Sequence, residues 1–271
     1  MNSGMDRAWD GVIAPPIEGR LSKPRSTGIT MVLDKGLGVT ALHDLLETAA
    51  DWVDFWKFTF GTSVMYPRTV LEAKVRLLHK HGVFACPGGT LFEVAWMQQR
   101  YDAYLNRLMQ LGFGAIEISD GTYPLSLAER QEAIRKAKSL GLKVLSEVGK
   151  KDPGDSQPSS VLYDLLRSDF EAGVDYVIVE GRESGKGVGI YDAKGEIIEE
   201  DLGVLSQDPQ CVERILWEAP LKSQQVALIK RFGCNVNLGN IPTEDLIALE
   251  ALRTGLRGDT LRDVVRKRVA K

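Results

Sequence analysis

The sequence of 271 residues predicts the α/β class and, within it, a single (β/α)₈ TIM barrel. Three observations carry that expectation. Eight short apolar runs rich in β-branched and aromatic residues recur along the chain, helical periodicity follows most of them, and glycine ends nearly every periodic segment. Repeated strand-then-helix units imply parallel strands joined by right-handed crossovers, and eight of them favour closure over an open doubly wound sheet.

The first strand, 28–33, ends on Asp34, Lys35 and Gly36, with helix 41–49 after it. The second, 52–58, contains Lys57 and runs into Gly61, Thr62 and Ser63 before helix 69–81. The third, 83–86, meets Pro87-Gly88-Gly89-Thr90 and then a long periodic stretch, 91–111. The fourth, 115–118, carries Glu117 and leads through Ser119 and Asp120 to helix 125–140. The fifth, 143–147, ends on Glu147, with Lys150 and Lys151 just beyond, and helix 159–172 follows. The sixth, 175–179, ends on Glu180 and Arg182. An irregular insertion, 183–209, comes next, with a turn at 191–195 between two short extended pieces, and belongs on or over the active-site rim. The seventh, 214–217, ends on Glu218 and precedes helix 223–232; the eighth, 235–238, ends on Gly239 and Asn240 before helix 243–254. Gly82, Gly112, Gly141, Gly173, Gly233 and Gly255 stand where a left-handed cap closes a helix. The expected organisation is an N-terminal arm over 1–25, the barrel over 26–260 and a basic C-terminal tail over 261–271, read as a solvated final helix.

Composition excludes several classes. With 44% hydrophobic and 26% charged residues the chain is an ordinary globular one, and a formal charge of −3 argues against a general electrostatic grip on nucleic acid or an anionic membrane. Any bound anion needs local cations. No apolar stretch reaches membrane-spanning length, and the first 25 residues lack the apolar core of a signal peptide. Cys86, Cys211 and Cys234 show no metal or disulfide spacing and read as reduced thiols of a cytoplasmic protein. A homo-oligomer is left open.

Catalytic groups of such barrels lie where the strands end. His43, His79 and His81 fall on helices, so no Ser-His-Asp triad is on offer. The chemistry must run on Lys, Arg, carboxylates and backbone amides, with or without a metal. Because side chains alternate along a strand, Glu117 shares a face with Ser119, Glu147 with Lys151, and Glu180 with Arg182. Three strands can thus aim Glu117, Glu147 and Glu180 at one mouth, an oxygen-ligand site of the kind Mg²⁺ accepts, or these acids can simply pair with Lys57, Lys151 and Arg182. The loop 181–187 misses the G-x-x-x-x-G-K-[ST] phosphate loop by one residue and a hydroxyl, which excludes an ATPase, yet amides beside Arg182, Ser184 and Lys186 can hold an anion. The end of the last strand, Asn237, Gly239 and Asn240, leads to Pro242 and a helix N-terminus where barrel phosphate sites commonly lie.

Together the strings LDKGLG (33–38), FGTS (60–63), PGGTLFE (87–93), EISDGT (117–122), SEVGKK (146–151), VEGRESGKGVG (179–189), WEAPLKSQQVA (217–227), VNLGNIP (236–242) and LRGDT (256–260) closely resemble the phosphosulfolactate synthase family, over about 23–260. The resemblance implies a (β/α)₈ barrel and Mg²⁺-dependent addition of sulfite to phosphoenolpyruvate, giving (2R)-3-phosphosulfolactate, a step toward coenzyme M or sulfolactate. On that reading Glu117, Glu147 and Glu180 hold Mg²⁺. Arg182, Ser184, Lys186, Asn237, Gly239 and Asn240 take the phosphate, while Lys35 or Lys57 attracts sulfite. Lys151, matching the second lysine of the VGKK string, donates the proton, with Lys150 as runner-up. The family also resembles plant heat-stress-associated proteins, so a non-catalytic barrel is the rival from another class. Another phosphoenolpyruvate-using lyase or mutase is the enzymatic one.

Overall fold

A computed structural model describes residues 7–269 apart from 151, 153, 155 and 156. Eight parallel strands curl into a nearly closed barrel flanked by helices: β1 (Thr30–Asp34), β2 (Phe55–Phe58), β3 (Phe84–Cys86), β4 (Ala115–Ile118), β5 (Lys143–Val148), β6 (Tyr176–Val179), β7 (Ile215–Glu218) and β8 (Leu238–Pro242). The ladder runs β3-β2-β1-β8-β7-β6-β5-β4. The predicted TIM barrel is therefore correct, and the strands nearest the two chain ends, β1 and β8, are knit together directly, with a register shift between Thr30 and Val32. Among the described residues no ladder joins β3 to β4; the ring of Phe84 instead packs against the backbone of Gly114, where a Cβ would come within 2.9 Å of it.

Alternation along the strands builds two layers. Outward residues such as Val32, Trp56, Ile116, Val144, Val177 and Trp217 bury themselves against the helices. Inward residues Met31, Phe55, Ala115, Leu145, Ile178 and Leu216 fill the barrel with a second, apolar cluster. Two positions further along the same faces stand Lys57, Glu117, Glu147, Glu180 and Glu218. The period of two that seals the lower barrel therefore also delivers five charged side chains to its upper end.

The helices follow the expected order: α1 (Val39–Ala49), α2 (Arg68–Lys80), α3 (Gly89–Met97), α4 (Tyr101–Leu111), α5 (Leu127–Ser139), α6 (Ser159–Ala172), α7 (Glu199–Leu205), α8 (Pro209–Val212), α9 (Lys222–Phe232), α10 (Leu246–Arg253) and α11 (Gly258–Val269). On α1 the buried residues Leu42, Leu46 and Ala49 recur at helical spacing. A capping box between Ser126 and Glu129 starts α5, and Gly173 at φ 104° ends α6.

Three expectations are corrected. The stretch 91–111 is two helices, because Gln99 turns left-handed (φ 55°) and the chain re-enters at Tyr101. The last strand begins at Leu238, since Asn235 and Asn237 spend their side chains tying loops beneath the barrel. The insertion contains the expected turn, closed by a bridge between Tyr191 and Ile197, but also the helix α7. No helix among the described residues is long and apolar enough to cross a membrane.

Candidate active site

The five charged residues surround a cavity of about 360 Å³ at the C-terminal ends of the strands. Lys57 is the hub: its Nζ lies 2.9 Å from Glu218 Oε1 and 3.1 Å from Glu117 Oε2, all three groups being buried. Burial alone would drive the proton off Lys57, but Glu117, then Glu218 and Glu147, overcome it and hold the ammonium well above the ordinary lysine range. The cation is permanent at any physiological pH.

Each carboxylate has further fixed partners. Glu117 Oε1 accepts the Gly89 N–H at the start of α3 (2.8 Å), and Glu218 Oε2 accepts the Gly181 N–H (2.9 Å). Glu180 Oε1 accepts the Arg182 N–H (2.7 Å), and Glu147 Oε1 receives the Ser119 hydroxyl (2.8 Å). One oxygen each of Glu147, Glu180 and Glu218 lies within 4.8 Å of the others, a buried, all-oxygen set that fits a hard divalent cation. Of the three predicted ligands, Glu147 and Glu180 are in this trio. Glu117 is turned to Lys57 and Gly89, and Glu218 takes its place. Leu216 faces into the barrel, so the same alternation that singles out the other acids points to Glu218 as well.

The remaining predicted residues divide by place. Arg182, Ser184 and Asn240 line the cavity. Asn240, left-handed at φ 53°, donates through Nδ2 to the Arg182 carbonyl at 3.2 Å, and its buried Oδ1 meets no donor among the described residues. Lys35 pairs with Glu183 across the rim with both side chains half exposed, a contact that salt screens. Lys186 is exposed and outside the cavity wall. Asn237 and Gly239 are corrected outright. Asn237 lies before β8, accepting the Ile29 N–H and donating to the carbonyls of Glu213 and Ile215, while a Cβ on Gly239 would run into Leu216 at 2.4 Å in the apolar layer. Pro242 ends β8 rather than opening a helix, and the short turn after it carries Glu244 and Asp245, which would repel a phosphate. Lys151 is outside the described residues. Lys150 is held by Asp120, 3.0 Å from its Oδ2 and 2.7 Å from its carbonyl.

Two supports lie outside the sequence expectations. Arg130 of α5, fully buried, forks onto Asp169 (2.8 and 2.6 Å), reaches Asp120 (3.1 Å) and donates to the Glu147 carbonyl (2.8 Å). Tyr191 donates its hydroxyl to the Glu218 carbonyl at 2.7 Å, folding the insertion onto β7. Burial, then Glu117, raises the Cys86 thiol far above its usual range, so it stays protonated and is no nucleophile.

The close seating of α3 against β4 depends on Gly89, whose Cβ would stand 2.5 Å from Ser119 Cβ and 2.7 Å from Glu117 Oε1. Gly89→Ala is therefore expected to cost about 1–3 kcal/mol. Urea unfolding at an unchanged midpoint would show that α3 yields freely.

Residues 18–259 match the family described as (2R)-phospho-3-sulfolactate synthase (ComA). The phosphosulfolactate synthase of Methanocaldococcus jannaschii is 47% identical over 235 residues, covering 86% of this chain and 93% of that protein. That of Methanothermobacter thermautotrophicus is 46% identical over 252 residues, covering 92% and 96%. The YdjI aldolase from Escherichia coli K12 shares the fold at a TM-score of 0.52 and 13% identity, covering 89% of this chain and 90% of that one. By sequence match across nearly its whole length, the chain belongs to the (2R)-phospho-3-sulfolactate synthase (ComA) family of enzymes.

Proposed function

We propose that this enzyme adds sulfite to phosphoenolpyruvate in the cytoplasm, forming (2R)-phospho-3-sulfolactate with the help of Mg²⁺. The observation that supports it most directly is the buried trio Glu147, Glu180 and Glu218 on one side of a small cavity that also presents Lys57, Arg182 and Asn240. The sulfur lone pair of sulfite forms a bond to the methylene carbon, the C=C pair moves toward the carboxylate as an enediolate, and the adjacent carbon then takes a proton. Two anions must meet: unit charges about 4 Å apart repel by about 4 kcal/mol at an effective dielectric of about 20, and each reactant carries more than one.

The trio would hold Mg²⁺, which when bound supplies a Lewis acid for the developing enediolate. Lys57 sets the local potential of the mouth, cancelling part of the charge of Glu117 and Glu218 so that an anionic substrate can approach. Arg182, with Ser184 beside it, offers the exposed cation for the phosphate, and the amide of Asn240 stands next to it. Lys35, released from Glu183, is available to sulfite at the rim. On sequence grounds, its phase with Glu147 and its match to the second lysine of the VGKK string, Lys151 is the proton donor, and Lys150 is paired with Asp120.

Purified protein incubated with phosphoenolpyruvate, Mg²⁺ and sulfite is expected to convert the substrate to a new phosphate ester followed by ³¹P NMR. Bicarbonate in place of sulfite should give none. Consumption without sulfite would favour another phosphoenolpyruvate-using lyase or mutase, and no consumption at all would favour the non-catalytic barrel.

A further inference from the structure

Two buried polar side chains stand directly behind Glu147 without touching the cavity. Ser119, just past the end of β4, is completely buried, and its Oγ lies 2.8 Å from Glu147 Oε1 and 2.7 Å from Glu93 Oε1. Glu93, in the second turn of α3, accepts through Oε2 the backbone N–H groups of Thr122 (2.9 Å) and Tyr123 (2.7 Å). The Gly121 N–H donates to Ser119 Oγ at 3.2 Å. One helix carboxylate thus clamps the loop after β4 and the serine together, and the serine reaches across to β5. A hydroxyl carries one hydrogen, so its orientation is set by whatever surrounds its oxygen. Here the Gly121 N–H sits on the oxygen, and the one hydrogen is shared between the carboxylates of Glu93 and Glu147, which it ties together.

We propose that Glu93 and Ser119 are positioning residues that fix the carboxylate of Glu147 for a divalent cation in the trio. The proposal rests on reading Glu147, Glu180 and Glu218 as a cation site. A glutamate has three side-chain torsions, and a ligand already bonded to a rigid neighbour loses less freedom when the cation arrives. Partners of this kind, one step behind a ligand, typically set metal affinity by about 10-fold to 100-fold. Glu93 is suited to the task because it belongs to α3, whose first amide holds Glu117, so one helix fixes acids from two strands.

The test is binding of Mn²⁺ alone, measured by electron paramagnetic resonance, with the melting temperature of the metal-free protein as the control for folding. Ser119→Ala and Glu93→Ala are each expected to weaken Mn²⁺ binding by about tenfold or more, with metal-free melting changed far less than binding. Glu93→Gln should restore most of it, because the amide oxygen still accepts from Thr122 and Tyr123 while its NH₂ donates to Ser119 Oγ and leaves the hydroxyl hydrogen to Glu147. If Glu93→Ala does not fold, Ser119→Ala and Glu93→Gln decide. Unaltered Mn²⁺ binding in Ser119→Ala, alongside a loss in Glu147→Gln, overturns the positioning role and spares the cation site. Binding as weak in Glu93→Gln as in Ser119→Ala overturns the orienting role of Glu93. Unaltered binding in Glu147→Gln overturns the cation reading itself.

Discussion

Replacing Lys57 with Met is expected to remove turnover and to lower stability by about 3–5 kcal/mol, the usual cost of stripping one partner from a buried ion pair. Lys57 neutralises Glu117 and Glu218 at 3.1 and 2.9 Å, with all three side chains buried. Without it both carboxylates must be left charged in the barrel or take up protons. The double variant Lys57→Met with Glu218→Gln should regain part of the stability, since one of the stranded charges is gone, and none of the activity. The pH dependence follows from the direction of the lysine shift. A folded value raised above the ordinary one means the stabilisation is fully present below the ordinary lysine value and is lost only as pH rises through the higher, folded one. Lys57 therefore contributes no titration near neutrality. Urea unfolding of the single variant at the midpoint of the unaltered protein would show that the network is dispensable.

The second large effect is expected at Arg130, which stands behind the cavity wall without lining it. Its guanidinium spans Asp169, Asp120 and the Glu147 carbonyl, so Arg130→Met leaves Asp169 buried without its partner and frees the end of β5. A loss of about 3–5 kcal/mol lowers the melting temperature by on the order of 10 °C. Arg130→Lys should recover little, because an ammonium cannot make the two-pronged contact to Asp169 and still reach the other acceptors. Turnover should fall as well, since Asp120 anchors Lys150 and Glu147 moves with its carbonyl. Melting within a degree or two of the unaltered protein would refute this account.

What the sequence discloses here depends on whether a signal is local. The strand at 115–118 and the helix at 159–172 have the predicted limits, because β-branched runs and a capping glycine mark them. The break at Gln99 carries no glycine or proline, so nothing in the string 97–101 announces that one helix is two. At 235–238 the apolar pattern is real, but the side chains of Asn235 and Asn237 go to loop groups and only the Asn237 carbonyl meets β7, at the Trp217 N–H, which only the fold can reveal. The charged mouth is legible in strand parity, which aims Glu117, Glu147 and Glu180 at the cavity they line. Which three acids converge is a property of ring closure: Glu117 and Glu218 share the alternation and each pairs with Lys57 and one backbone amide, yet it is Glu218 that brings an oxygen within 4.8 Å of Glu147 and Glu180. Lys186 and Gly239 show the converse, since lying near a strand end in sequence did not bring them to the cavity wall.

The way the ring closes has a further consequence. Its two unladdered margins, β3 and β4, are consecutive in the chain, whereas the strands near the chain ends are stitched to each other. Among the described residues the place between those margins is spanned by the ring of Phe84 against Gly114 and by the Gly89 N–H on Glu117 instead of by ladder hydrogen bonds. Both α3, which bears Gly89 and Glu93, and Glu117 flank this joint. The girth of the barrel at this joint and the spacing of the acids around its opening are thus tied to the same few contacts.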